Sequence, residues 1–188
     1  MCQLKSNLFS SLLEFVVAIE AREVHVPPDV SINALIDRAV GLGILPAIHE
    51  SERAIRYFAS PHQSQLGLRA TQHGVSRVAA LAFDQDVSDH EVKGLVRQYN
   101  ERCGLGKQIA FATAFELIDL EMRHPEFLRG HDVRAIEPGF KLGGGSYHLA
   151  ISDAPNGKRQ HRVEWHKPGN SRLSGWYWLF RLPSQPPA

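Results

Sequence analysis

Apolar residues recur at helical spacing in the segment after Ser31, where Ile32, Leu35, Ile36, Ala39 and Val40 fall on one face. Ser31 or Asp29 stands where a cap belongs, Gly41 and Gly43 end the helix, and Pro46 prevents its continuation. Ahead of it, LFSSLLEFVVAIEA predicts an amphipathic helix over residues 7–22, ending before Pro27 and Pro28 force an extended segment. Residues 54–59, AIRYFA, read as a strand, and the turn-rich SPHQSQ follows. Leu68 to His73 reads as a short helix closed by Gly74. Residues 78–83, VAALAF, form an unbroken apolar run, short enough for a strand buried on both faces. Ser88 and Glu91 make a capping-box pattern that leads Val92, Leu95, Val96 and Tyr99 along a helix face. Gly104 and Gly106 break that helix, and a third runs from about Lys107 to Arg123, stopped by Pro125.

Beyond residue 145 the period shortens. SYHLAIS, HRVEWHK and GWYWLFRL are strand-like runs separated by Asn156-Gly157 and Pro168-Gly169-Asn170 turn signals, which predicts a three-stranded antiparallel meander. The fold class is therefore α+β or α/β: an N-terminal helix over 1–22, a core over 23–130 and a basic β extension over 131–188, all in one compact unit.

Composition supports a single core, with 188 residues of which 43% are hydrophobic. The net charge of +1 does not announce nucleic acid, but it is unevenly distributed. From Ser146 onward six cations face two acids, a local charge of +4 that leaves −3 on the preceding residues. Such a tail is either a basic binding face or a solvated strand face. Cys2 and Cys103 make neither a disulfide framework nor a metal cluster, which fits a reduced cytosolic setting. Glu14 and Glu20 interrupt the N-terminal apolar run, so no stretch reaches the ~18 residues of a membrane span.

Four features occur in fixed order. VHVPPDVSINALIDRAVGLGILPAI joins an extended proline segment to a helix that runs into glycine, leucine and proline. Arg69 and Ala70 open a short helix closed by Gly74, and VSRVAALAFD supplies the next strand. SDHEVKGLVRQYNERCGLGKQIAFATAFELI then gives a capped helix ending near an Asn and an Arg, followed by an amphipathic helix. In this order and spacing, residues 24–119 resemble the N-terminal domain of the ParB/sulfiredoxin superfamily. Departures stand beside the likeness. Ser64-Gln65-Leu66-Gly67 replaces the family's glycine-glutamate-arginine-arginine turn, and Gln98 replaces a glutamate. The sulfiredoxin cysteine nucleophile is missing and no helix-turn-helix follows, which argues against reductase chemistry and against site-specific centromere binding.

A ParB-like domain of this length without a DNA-reading module resembles the plasmid-encoded fertility-inhibition (oncogenic-suppression) factors. That resemblance implies ATP hydrolysis and DNase activity, ATP with Mg2+ or another divalent ion as cofactors, and single- or double-stranded DNA as substrate. It further implies a block on conjugation through type IV secretion components, from the cytoplasm or the inner face of the inner membrane. The alternative is a non-catalytic DNA- or protein-binding inhibitor module of the same fold.

Particular residues take roles under the resemblance. Between the strand and the short helix, Ser64, Gln65, Gly67 and Arg69 would cradle phosphate with backbone amides, a helix dipole and a guanidinium. Arg69 is equally an ordinary surface residue of a first helical turn. At the end of the second capped helix, Asn100, Glu101 and Arg102 would face the phosphates, with Glu101 or Glu91 holding the ion. Arg102 is equally a complement to the helix C-terminus. His73, beside the phosphate turn, is the candidate for proton transfer. Gly104-Leu105-Gly106-Lys107 lacks the strand and Ser/Thr of a phosphate loop, so Lys107 joins the phosphate-binding set only as a cation in the first turn of the next helix. In the tail, Arg159, Arg162, Lys167, Arg172 and an exposed Tyr177 form the DNA-binding set, while Trp176, Trp178 and Phe180 share a core-facing side.

Overall fold

The computed structural model describes residues 16–18, 21–44, 73–83, 86–102, 108–127, 129–142, 145–153, 159–166 and 175–183. In chain order these form β1 (Val16–Ala18), β2 (Arg22–Val26), α1 (Ile32–Gly41), β3 (Gly74–Phe83), α2 (Asp89–Arg102), β4 (Ala110–Phe111), α3 (Ala114–Arg123), β5 (Asp132–Leu142), β6 (Gly145–Asp153), β7 (Arg159–His166) and β8 (Trp176–Arg181). The expected strand at 54–59 and helix at 68–73 lie outside the described residues, except that His73 immediately precedes β3.

The apolar run of β3 decides the architecture. Side chains alternate between the faces of a strand, so an unbroken run needs cover on both. Val78 and Ala80 pack into one cluster with α1 and α3, through Ile32, Leu35, Phe115 and Ile118. Ala79 and Leu81 pack into another beneath α2, with Val92 and Tyr99. Strand β8 repeats the pattern, Leu179 joining the first cluster and Trp178 and Phe180 the second. The result is a sheet covered by helices on both sides: mixed helix and mainly antiparallel strand, α+β. Its order is β1-β3-β8-β5-β6-β7, with β2 also on β3 and β4 also on β8.

Local signals account for the helices. Ser31 Oγ accepts from Ala34 N–H at 3.2 Å and caps α1, while Asp29 sits two residues earlier in a left-handed conformation, φ 53°. Beyond α1, Gly43 adopts φ 70°, a conformation that favours glycine. For α3, the stretch Thr113-Ala-Phe-Glu116 is a complete capping box. The helix ends at Arg123, two residues before Pro125.

Four sequence expectations are corrected. The helix over 7–22 does not hold through its second half: Val16–Ala18 pairs antiparallel with Phe83–Leu81, and Arg22–Val26 with Val78–Gly74. Val16 and Val17 are β-branched, and a free edge of β3 gives them ladder partners that a surface helix lacks. The third long helix begins at Ala114 rather than Lys107, because Ala110 and Phe111 first pair with Arg181 and Phe180. Gly74, expected only to end a helix, is the first residue of β3 at φ 100°. The C-terminal meander is split. β6 and β7 form an antiparallel hairpin, but β8 lies between β3 and β5, antiparallel to the former and parallel to the latter. Both faces of WYWLF are apolar, which suits a central strand and would leave one face wet at the edge.

Candidate functional site

The end of α2, where the sequence places Asn100, Glu101 and Arg102, is tied to the sheet by a two-point clamp. Asn100 Nδ2 donates to the Ile109 carbonyl at 2.8 Å, and Ile109 N–H donates to Asn100 Oδ1 at 2.9 Å. Ile109 leads directly into Ala110, which pairs with Arg181, and Arg181 pairs with Val78. The end of α2 is thereby fastened to β4 and, through it, to β8, while Val96 and Tyr99 pack with Leu81 and Phe83 of β3. Gln98, Glu101 and Arg102 are exposed at the end of α2, and His73 is exposed ahead of β3. Both functions of the Asn100 amide serve the fold, so it closes the loop between α2 and β4 rather than offering itself to phosphate. Replacing Asn100 with Ala is expected to speed hydrogen exchange at the Ile109 amide roughly tenfold, the loss of about one buried hydrogen bond. Unchanged protection at Ile109 would show that the clamp is idle in solution.

At the other end of α2, Glu91 Oε2 accepts from Ser88 N–H at 2.7 Å and from Ser88 Oγ at 2.8 Å, the capping box expected from the sequence. Glu91 and Glu101 are ten residues apart on one helix, roughly 15 Å along its axis. They do not form one ion site, and Glu91 already serves the cap. Among the described residues, no group of three or more His, Cys, Asp or Glu side chains is arranged to hold a metal ion.

Several charged groups outside the sequence-predicted set are buried. Asp89, in the first turn of α2, accepts from Trp178 Nε1 at 2.6 Å and from Arg134 at 3.2 and 3.3 Å. The Arg134 and Asp89 side chains are 3% and 5% exposed. The Arg134 guanidinium lies 4.4 Å from the Trp176 ring centroid, a cation–π contact on its apolar side. An arginine inside the apolar run VRAI was the available signal, since such a charge is buried only with a partner.

A second buried carboxylate, Glu116, fixes α3 to the sheet. It accepts from Ser76 Oγ at 2.6 Å, from Arg181 Nε at 2.7 Å and Nη2 at 2.6 Å, and from Thr113 N–H at 2.8 Å. Burial alone would push its pKa up, but the bonds from Arg181, Ser76 and Thr113 prevail and hold it below the usual carboxylate value. One of the six tail cations, Arg181, is thus turned inward rather than toward a ligand.

The remaining candidates divide. Ser64, Gln65, Gly67, Arg69, Lys107, Lys167 and Arg172 lie outside the described residues. Arg159 and Arg162 occupy β7, opposite Asp153 and Ala150 of β6. Tyr177 is corrected: it is half-buried against the cluster under α1 and α3, its ring edge-on to His131 at 4.7 Å.

No protein-family model, curated protein or solved structure matches the chain. Among the described residues no helix is long and apolar enough to cross a membrane. The candidates therefore fall at separate places: Gln98, Glu101 and Arg102 exposed at the end of α2, His73 exposed ahead of β3, and Arg159 and Arg162 on β7.

Proposed function

We propose that the chain is a DNA-binding inhibitor module of the ParB-like type, acting in the cytoplasm to block plasmid DNA transfer through a type IV secretion system without hydrolysing nucleotide or DNA. The observation that carries this choice is the commitment of Asn100 and Glu91, two members of the expected nucleotide and ion set, to a backbone clamp and a helix cap. The cations from Ser146 onward other than the inward-turned Arg181, with Arg159 and Arg162 on β7, the last strand of the described sheet, support contact with a phosphate backbone. A second possibility, an ATP- and Mg2+-dependent DNase, is favoured by the exposure of Arg102 at the end of α2 and of His73 ahead of β3.

The experiment incubates pure protein with ATP, Mg2+ and plasmid or single-stranded DNA. Retarded but intact DNA, no phosphate release, and binding that falls steeply with salt and weakens in an Arg159→Ala/Arg162→Ala variant are expected. Metal-dependent loss of DNA that Arg102→Ala abolishes would replace the binding module with the hydrolase.

A further inference from the structure

The outer strands of the sheet are finished differently. At β2, Asp119 Oδ2 accepts from His25 N–H at 2.7 Å, and His124 Nε2 lies 3.1 Å from the Glu23 carbonyl oxygen. These side chains, from α3 and its C-cap, fill the positions where a further strand would bond. The β2 edge is sealed against strand addition. At the opposite limit β7 pairs with β6 through all its residues, Arg159–His166, and among the described residues no strand adjoins its other side. β7 contains no proline, so none of its backbone donors is missing.

In β7, RQHRVEWH, Arg162 and Glu164 flank Val163 symmetrically, and the next positions out, His161 with Trp165 and Gln160 with His166, add no pair of like formal charges. With β7 antiparallel to β7 of a second copy and Val163 opposite the partner's Val163, Arg162 falls opposite the partner's Glu164. The two-fold axis makes the same pairing a second time. Opposite charges directly across an antiparallel pair are stabilising, and like charges are destabilising.

We propose that β7 is a self-association edge whose occupant is a second copy of this chain, paired antiparallel about Val163. The pairing requires no DNA, so it stands or falls apart from the function proposed above. Sedimentation velocity of the full chain without DNA, from about 1 to about 100 μM, is expected to show a monomer–dimer equilibrium with a micromolar dissociation constant. Glu164→Arg alone, or Arg162→Glu alone, sets like charges opposite each other twice and is expected to weaken the dimer about tenfold or more. The double exchange R162E/E164R restores opposite charges and is expected to restore the dimer. The unfolding midpoint of each variant, read on the same samples, separates loss of pairing from loss of fold. A monomer at every concentration would overturn the proposal, and so would a dimer indifferent to either reversal or one that the double exchange fails to rescue.

Discussion

Glu116→Ala is expected to lower stability by about 3 kcal/mol, because it removes one partner from a buried ion pair and half of a capping box at once. Arg181 would lose its bidentate acceptor, and Ser76 Oγ and the Thr113 N–H would lose theirs. The pH dependence follows from the direction of the shift. Held below its ordinary 4.5 in the folded chain, Glu116 binds a proton more weakly there than when unfolded. Its contribution is therefore complete above the unfolded value and lost as pH falls through the folded one. Urea midpoints measured from about pH 6 down to about pH 3 are expected to fall more steeply for the parent than for Glu116→Gln, which keeps the shape and removes the titration. Parallel acid limbs in the two proteins would show that this carboxylate does not couple to folding.

Arg134→Met is expected to cost about 3–5 kcal/mol, since it leaves the Asp89 carboxylate buried without its guanidinium. Asp89→Asn keeps an oxygen for Trp178 Nε1 and loses the charge that Arg134 faces. The double variant Asp89→Asn/Arg134→Met removes both charges and retains that acceptor. It is expected to be more stable than Arg134→Met alone by at least about 1 kcal/mol. Denaturant unfolding of the four proteins gives the cycle directly. Strict additivity would mean that the pair contributes nothing as a pair, and that the arginine acts through its contact with Trp176.

What the sequence disclosed depended on how locally each signal was written. The run VAALAF and the Ser88–Glu91 cap need no distant partner to be recognised, and both appear as expected in β3 and α2. Thr113 and Glu116 carry the same type of cap, but the sequence alone lets the helix begin at Lys107, because β4 exists only through its pairing with β8. Strand β5 has no single local signature, since Pro138-Gly139 interrupts it and the ladder takes up the interruption with a register shift between Ala135 and Phe140. The site was legible in residue type and not in role. Asn100 is polar at a helix end, which suits a ligand group as well as a clamp, and only the backbone nine residues on decides between them.

The position of β8 has a consequence for how the chain acquires its shape. Residues 176–181 occupy the slot beside β3 that most of the sheet depends on, so a ribosome must deliver some 100 residues after Phe83 before that seam can close. Assembly is dominated by contacts between distant parts of the chain, the regime in which structure forms slowly. During synthesis, VAALAF waits without its central neighbour, which makes it the segment a chaperone would be expected to shield.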